Sequence, residues 1–299
     1  MFNKITIIGS GLLGSSLLRA IRKKKISKKI SVFDNSIKVR KKIKKLKLLC
    51  KLENNIKDSV KDSDLIILCS PISSYKKIIE NIKKKLENNS IIIDIASVKK
   101  KSIEIIAKNI DTKNISWIPC HPIAGSEVSG PEYGNANLFE NKWCIITPTK
   151  KEKKYHLKKI IKFWKKIGSK VKIMKQVKHD RIFSITSHMP HLIAYNLVKT
   201  AIDLEKKNNS SIIQFSGGGL RDFTRTASSS EIMWKDVSIL NKSNILKSFK
   251  QFTKNLNKMS NFIKNENINE LKKIFKNTKK IRKKIISAKQ DTSKPDFGR

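Results

Sequence analysis

Short apolar runs and amphipathic stretches alternate through the first half of the chain. Largely apolar runs rich in β-branched residues occupy Lys4–Ile8, Ile30–Phe33, Leu65–Cys69, Ile91–Ile95, Ile115–Cys120 and Cys144–Thr147. Between most of them lie Lys-rich segments with apolar residues at helical spacing, such as Ile78, Ile79, Ile82 and Leu86. Strands that are apolar throughout, rather than at alternate positions, are buried on both faces. Such strands alternating with helices predict an α/β fold with a doubly wound parallel sheet. A weaker run, Lys170–Met174, predicts one more strand at the sheet edge.

From about Gln176 the period changes. His179–Leu204 reads as one long helix, apolar at Phe183, Leu192, Leu197, Val198 and Ala201. Further helices are predicted over Ser230–Leu240, Asn244–Phe262 and Asn269–Ile286, and no strong strand pattern returns. The expected organisation is an α/β domain over 1–175 and a helical domain over 176–290. A loose tail is expected over 291–299. The strongly apolar first helix predicts a buried or partner-facing element.

Composition changes this picture little. The 299 residues carry a formal net charge of +42, which invites a polyanion-binding reading. Only eight of the 66 basic residues are arginines, and the lysines are spread over nearly every predicted surface face. Lys, Ile and Asn run high together, as an AT-rich coding sequence produces, so no specific nucleic-acid partner is expected. Cys50, Cys69, Cys120 and Cys144 have no spacing that suggests zinc or a redox pair, and no metal is expected. Cysteines within apolar runs behave as small hydrophobes, which suits a reducing compartment. The chain starts directly on a core strand, and no run approaches the ~18 apolar residues of a membrane span. The expectation is a cytoplasmic protein with no membrane partner.

The first chemical signal is Gly9-Ser10-Gly11-Leu12-Leu13-Gly14, which follows a strand and opens a helix. An acidic residue, Asp34, closes the next strand 20 residues after Gly14. This is the Rossmann-type dinucleotide fingerprint in its proper context. Gly9 permits the tight turn, Gly11 lets backbone approach a pyrophosphate, and Gly14 lets helix and strand pack closely. The helix N-terminus offers free N–H donors to phosphate. Asp34 would accept a ribose 2′-hydroxyl and repel a 2′-phosphate, favouring NAD over NADP. Ser70-Pro71, directly after the third strand, falls where such folds line the nicotinamide side of the cleft.

Three further segments suggest a substrate site. Pro119–Phe139 is a long Gly- and Pro-containing loop at the carboxyl end of a strand, where open α/β sheets bind ligands, so His121 is well placed for chemistry. Ser187-His188-Met189-Pro190-His191 sets a proline inside a helical stretch and two histidines three residues apart, on one face. Gly217-Gly218-Gly219-Leu220-Arg221-Asp222-Phe223-Thr224-Arg225 places two arginines on one helical face of a lysine-dominated chain. Arginine is suited to bidentate carboxylate recognition.

With these runs, and with Asp94-Ile95-Ala96-Ser97-Val98-Lys99 and Ile232-Met233-Trp234, the chain resembles the prephenate/arogenate dehydrogenase family of tyrosine biosynthesis, from Lys4 to about Phe262. The resemblance implies an NAD-linked oxidative decarboxylation of prephenate or arogenate. In that reaction hydride leaves C4 for the nicotinamide, a base draws off the C4 hydroxyl proton, and CO₂ departs as the ring becomes aromatic. His121 matches the family's catalytic histidine, a general base. Ser97 matches a serine that orients it and touches the nicotinamide. Arg225 matches an arginine that binds a substrate carboxylate, and His191, with His188 beside it, a histidine that holds substrate. Glu127, Arg221, Asp222 and Trp234 are expected on a charged and aromatic rim at the pocket entrance. The resemblance also implies a homodimer through the helical domain; with no segment readable as a chorismate mutase or C-terminal regulatory domain, a monofunctional enzyme is expected. Rival readings, a β-hydroxyacid or cyclic-imine dehydrogenase and a nucleic-acid-binding module, lack counterparts for the His121 and Arg225 motifs.

Overall fold

The computed structural model describes residues 2–110, 114–149, 151–209, 211, 213–288 and 290. The tail expected over 291–299 lies outside the described residues. In chain order the first half runs β1 (Lys4–Ile8), α1 (Leu12–Lys23), β2 (Lys29–Phe33), α2 (Ile37–Lys45), β3 (Lys51–Leu52), α3 (Ile56–Val60) and β4 (Leu65–Leu68). It continues with α4 (Tyr75–Ile82), β5 (Ile91–Asp94), α5 (Lys99–Ala107), β6 (Ser116–Pro122), β7 (Trp143–Ile146), α6 (Lys154–Ile167) and β8 (Lys170–Ile173). The strands form one eight-stranded sheet in the order β3-β2-β1-β4-β5-β6-β7-β8. The order reverses beside β1, the strand that feeds the glycine turn, which is where a doubly wound sheet opens its crevice.

Both faces of the sheet are covered, so each strand supplies two cores. Leu65 and Ile67 pack with Leu17 and Ile21 of α1 and Phe163 and Trp164 of α6. Ile66 and Leu68 point into the opposite core with Ile79 and Ile82 of α4 and Ile106 of α5. The period of two along strands that are apolar throughout explains the unbroken isoleucine runs.

Two features differ from the sequence expectation. The pair β6–β7 is antiparallel, with His121 opposite Ile145, whereas every other pair is parallel. A parallel return needs a long crossover, usually a helix. The segment between β6 and β7 is instead irregular, apart from a short turn of 3₁₀-helix at Pro131–Tyr133, and brings the chain back alongside itself. Strand β3 has two residues, too few for any periodicity to register.

The second half comprises α7 (Gln176–Phe183), a π-helical turn at Ser184–His188, α8 (Met189–Asn208), α9 (Gly218–Ala227), α10 (Glu231–Leu240), α11 (Lys242–Lys264) and α12 (Ile268–Ser287). The single helix expected over His179–Leu204 is thus divided. Pro190 sits in the first turn of α8, where its missing N–H costs least, and the wider π-turn before it absorbs the lost ladder bond. Side-chain caps start α10, where Ser230 Oγ accepts from Met233 N–H, and α12, where Asn267 accepts from Glu270 N–H.

Candidate active site

The glycine turn meets its steric requirements against β4. Gly9 has φ +93°, and a Cβ there would lie 2.8 Å from the carbonyl carbon of Cys69. A Cβ on Gly14 would sit 2.0 Å from the Gly9 carbonyl oxygen, so helix and turn touch backbone to backbone. Gly11 is different, because nothing lies within 4 Å of where its Cβ would be. That open cradle faces the cleft at the N-terminus of α1, which no side chain caps. The exposed backbone there suits a pyrophosphate. Asp34 braces the turn from the end of β2: Oδ2 accepts from Ser10 N–H at 2.7 Å and Oδ1 from Ser36 N–H at 2.9 Å.

A cleft of about 680 Å³ runs from this turn to the helical half. Gly11, Leu12, Leu13, Ser70 and Pro71 line one end. Ser97, His121, Glu127, His191, Arg225 and Trp234 line the remainder, so β5, β6, α8, α9 and α10 all contribute. Among the described residues, no group of three or more His, Cys, Asp or Glu is placed to hold a metal.

His121 is next to the last residue of β6 and only 7% exposed. Its Nδ1 lies 2.8 Å from Nε2 of His179 on α7, and His179 Nδ1 lies 2.8 Å from Asp180 Oδ1. Phe183, one turn along α7, stacks edge-on against His121 with centroids 4.8 Å apart. Burial drives the His121 pKa well below its ordinary 6.5, aided by His179, Lys99 and His188 nearby, so the ring is neutral. His179 was not among the residues singled out by sequence. Its only local signal is the His179-Asp180 pair opening a helix, which pattern alone does not distinguish from a surface step. No hydrogen bond joins Ser97 to His121; the bond that sets this ring comes from His179.

Beneath the site, Lys99 is fully buried, its ammonium 2.6 Å from both Asp94 Oδ2 and the Cys120 carbonyl. This ion pair ties β5 to the strand carrying His121. A buried, hydrogen-bonded pair of this kind is costly to break from one side only.

The two histidines that the sequence placed on one face both approach Trp234 but differ in burial. His191 lines the cleft, stacked on Trp234 with centroids 4.1 Å apart at 23°. His188 does not line it: the ring is fully buried, with Nδ1 3.0 Å from Asn241 Nδ2, and burial pushes its pKa down to about 4. Trp234 is likewise buried in the wall, at 6% exposure, and is not a rim residue. The charged rim is made by Arg225, 3.8 Å from Glu127 and 3.5 Å from Asp222. Arg221 is exposed on α9 and outside the cleft lining.

Comparison with known proteins agrees with this arrangement. Residues 17–173 match the family model of the prephenate dehydrogenase nucleotide-binding domain, and residues 175–277 that of the prephenate dehydrogenase dimerization domain. The chain is 33% identical to a cyclohexadienyl dehydrogenase of Zymomonas mobilis, covering 94% of this chain and 96% of that one. It is 29% identical to a prephenate dehydrogenase of Bacillus subtilis, over 94% of this chain and 76% of the relative. A solved prephenate dehydrogenase from A. aeolicus, in complex with hydroxyphenyl propionate and NAD+, superposes with a TM-score of 0.88 at 32% identity, over 95% of this chain and 99% of that one. The chain belongs to the prephenate dehydrogenase family, a family of oxidoreductases with an NAD-binding Rossmann domain followed by a dimerization domain.

Proposed function

We propose that this chain catalyses the NAD-dependent oxidative decarboxylation of prephenate to 4-hydroxyphenylpyruvate. The observation that carries the reading is one cleft lined at one end by the glycine turn, at the other by Arg225 and His191, and along its wall by a buried neutral His121. NAD, held by Gly9, Gly11, Leu12, Leu13, Gly14 and Asp34 with Ser70 and Pro71 alongside, supplies the hydride acceptor. The open position at Gly11 is the feature of this chain that fits it.

His121 takes the C4 hydroxyl proton as general base, which its neutrality at physiological pH permits. Ser97 shares the cleft with it and is placed to contact the substrate hydroxyl and the cofactor. Arg225 pairs with a substrate carboxylate, with Glu127 and Asp222 flanking it at the entrance; Arg221, exposed on the same helix outside the cleft, adds positive charge to the approach. His191, held by its stack on Trp234 and by the Ser187 carbonyl 2.9 Å from Nδ1, contacts the side-chain end of the substrate. His188 supports this wall from behind. Prephenate is favoured over arogenate because His191 brings no negative charge to meet an ammonium group. The domain division falls at 175/176, where α7 begins.

The protein acts as a homodimer. Leu197, Leu204, Phe215 and Phe223 are exposed apolar residues of the helical half, and a second copy would cover them. The free cysteines, two buried and two half-buried, favour a cytoplasmic location. Steady-state kinetics with prephenate and arogenate, each with NAD and NADP, test the substrate and cofactor together. The proposal expects prephenate with NAD to give the highest kcat/KM, and a preference for arogenate would overturn the substrate assignment.

A further inference from the structure

We infer that His179 and Asp180 act as a relay that fixes the tautomer of His121 and then shares the charge it acquires. The inference rests on the reading of His121 as the base. It starts from the bonding of Asp180, a carboxylate with 2% exposure. Its Oδ1 accepts from Lys99 N–H at 2.8 Å and Oδ2 from Lys100 N–H at 2.9 Å, at the N-terminus of α5. Burial works against its charge, but His179 and these two amides hold its pKa below the ordinary carboxylate value.

An ionised carboxylate only accepts hydrogen bonds. His179 Nδ1, 2.8 Å from Oδ1, therefore carries the proton. Burial lowers the pKa of His179, so the ring is neutral and its Nε2 is a bare lone pair. That lone pair faces His121 Nδ1 at 2.8 Å, so Nδ1 is the protonated nitrogen of His121. His121 is itself neutral, which leaves its Nε2 as the basic lone pair. One buried carboxylate thus sets both tautomers across two domains.

In the oxidation step the substrate O–H bond breaks and an N–H bond forms at His121 Nε2. The electron pair left on oxygen makes the C4 carbonyl as hydride departs to NAD. The Nδ1 proton of His121 passes to His179 Nε2, so the positive charge settles on the ring beside Asp180. The groups facing this pair make that transfer favourable. Lys99 on α5 disfavours a cation on either ring; His188 on the π-turn disfavours one on His121, Asp180 on α7 favours one on His179, and Phe183 contributes only an apolar face. When CO₂ leaves, its electron pair aromatises the ring and the C4 oxygen takes the proton back from His121 Nε2. The Nδ1 proton returns from His179 in the same step, so His121 stays neutral throughout.

His179 and Asp180 are therefore positioning residues, testable with three variants. His179→Leu removes the acceptor, and kcat is expected to fall by roughly 10²–10³ with KM little changed. His179→Gln keeps an acceptor for His121 Nδ1–H but cannot take a proton. It should recover about tenfold of that loss, and its solvent-isotope proton inventory should change from the curved dependence of two protons to the linear dependence of one. Asp180→Asn lets an amide donate to His179 and so favours the wrong tautomer of His121, lowering kcat more than His179→Gln does. NAD binding and thermal unfolding of each variant report folding. Should His179→Leu not fold, the Gln and Asn variants still decide through the inventory and the order of kcat. Turnover of the His179 variants within threefold of wild type, or an inventory unchanged in His179→Gln, overturns the relay. If His121→Asn alone leaves turnover intact, the failure belongs to the base assignment instead.

Discussion

The two halves of the molecule bury their apolar residues differently. In the sheet half, Ile5, Ile7, Leu65, Ile66, Ile67 and Ile93 have essentially no exposed surface, and helices close both faces. In the helical half, only Phe183, Ala194, Trp234, Val237 and Ile245 are buried apolar residues among those described, while Leu246, Leu256, Ile263, Phe275 and Ile281 are exposed. Burial contributes about 25 cal/mol per Å² of apolar surface, so the first half is stabilised by its own core. The second half leaves apolar surface that a partner copy can cover. Its buried residues also cluster where it meets the sheet: Trp234 and Val237 join the core on the β4–β5 face, and Phe183 lies on His121. In the proposed mechanism the first half supplies the base, and the second supplies what orients it and holds substrate.

The sharpest way to break this division of labour is to remove the base. His121→Asn should lower kcat by roughly 10²–10⁴ with little change in KM, measured by steady-state reduction of the cofactor. Arg225→Gln, in the other half, should do the reverse. Losing a charge-assisted carboxylate contact costs about 1.5–3 kcal/mol, hence a KM raised about ten- to a hundredfold with kcat largely kept. A purely kcat effect would mean that Arg225 acts on the reacting centre rather than on binding.

How much of this was legible in the sequence follows the same division. The glycine turn, Asp34, and the apolar runs of the sheet are local patterns, and they read directly. The antiparallel return of β7 was not readable, because direction depends on what the connecting loop does in space. His179 was missed because its significance is a contact with His121 58 residues away, and no period links them. His188 and His191 share a helical face on paper. Both rings approach Trp234, but His188 is covered by Asn241, 53 residues on, while His191 is left in the cleft, and no helical period reveals that contact. Arg225 stood out only because arginine is scarce here.

Asp34→Ser should reduce the preference for NAD over NADP by about tenfold, since a charged acceptor of a ribose hydroxyl is lost and repulsion of a 2′-phosphate is relieved. Because Asp34 also accepts from Ser10 N–H, some loss of affinity for both cofactors is expected, and NAD and NADP titrations separate the two effects. The last effect concerns stability rather than turnover. His188 has its pKa pushed from 6.5 down to about 4 by burial, so the unfolded chain binds its proton first on acidification. Its contribution is whole above pH 6.5 and is lost as the pH falls towards 4, at about 1.4 kcal/mol per pH unit within that window. Denaturant melts across this range should show the decline, and a flat profile would contradict a neutral buried His188.

The central claim is that prephenate is oxidised by NAD in this cleft with neutral His121 as the base. Incubation of the purified chain with prephenate and NAD, following reduced cofactor, CO₂ and 4-hydroxyphenylpyruvate together, tests it most directly. The account predicts the three products in equal amounts, and loss of all three in His121→Asn. Absence of reduced cofactor with prephenate, or its undiminished formation in His121→Asn, would contradict it.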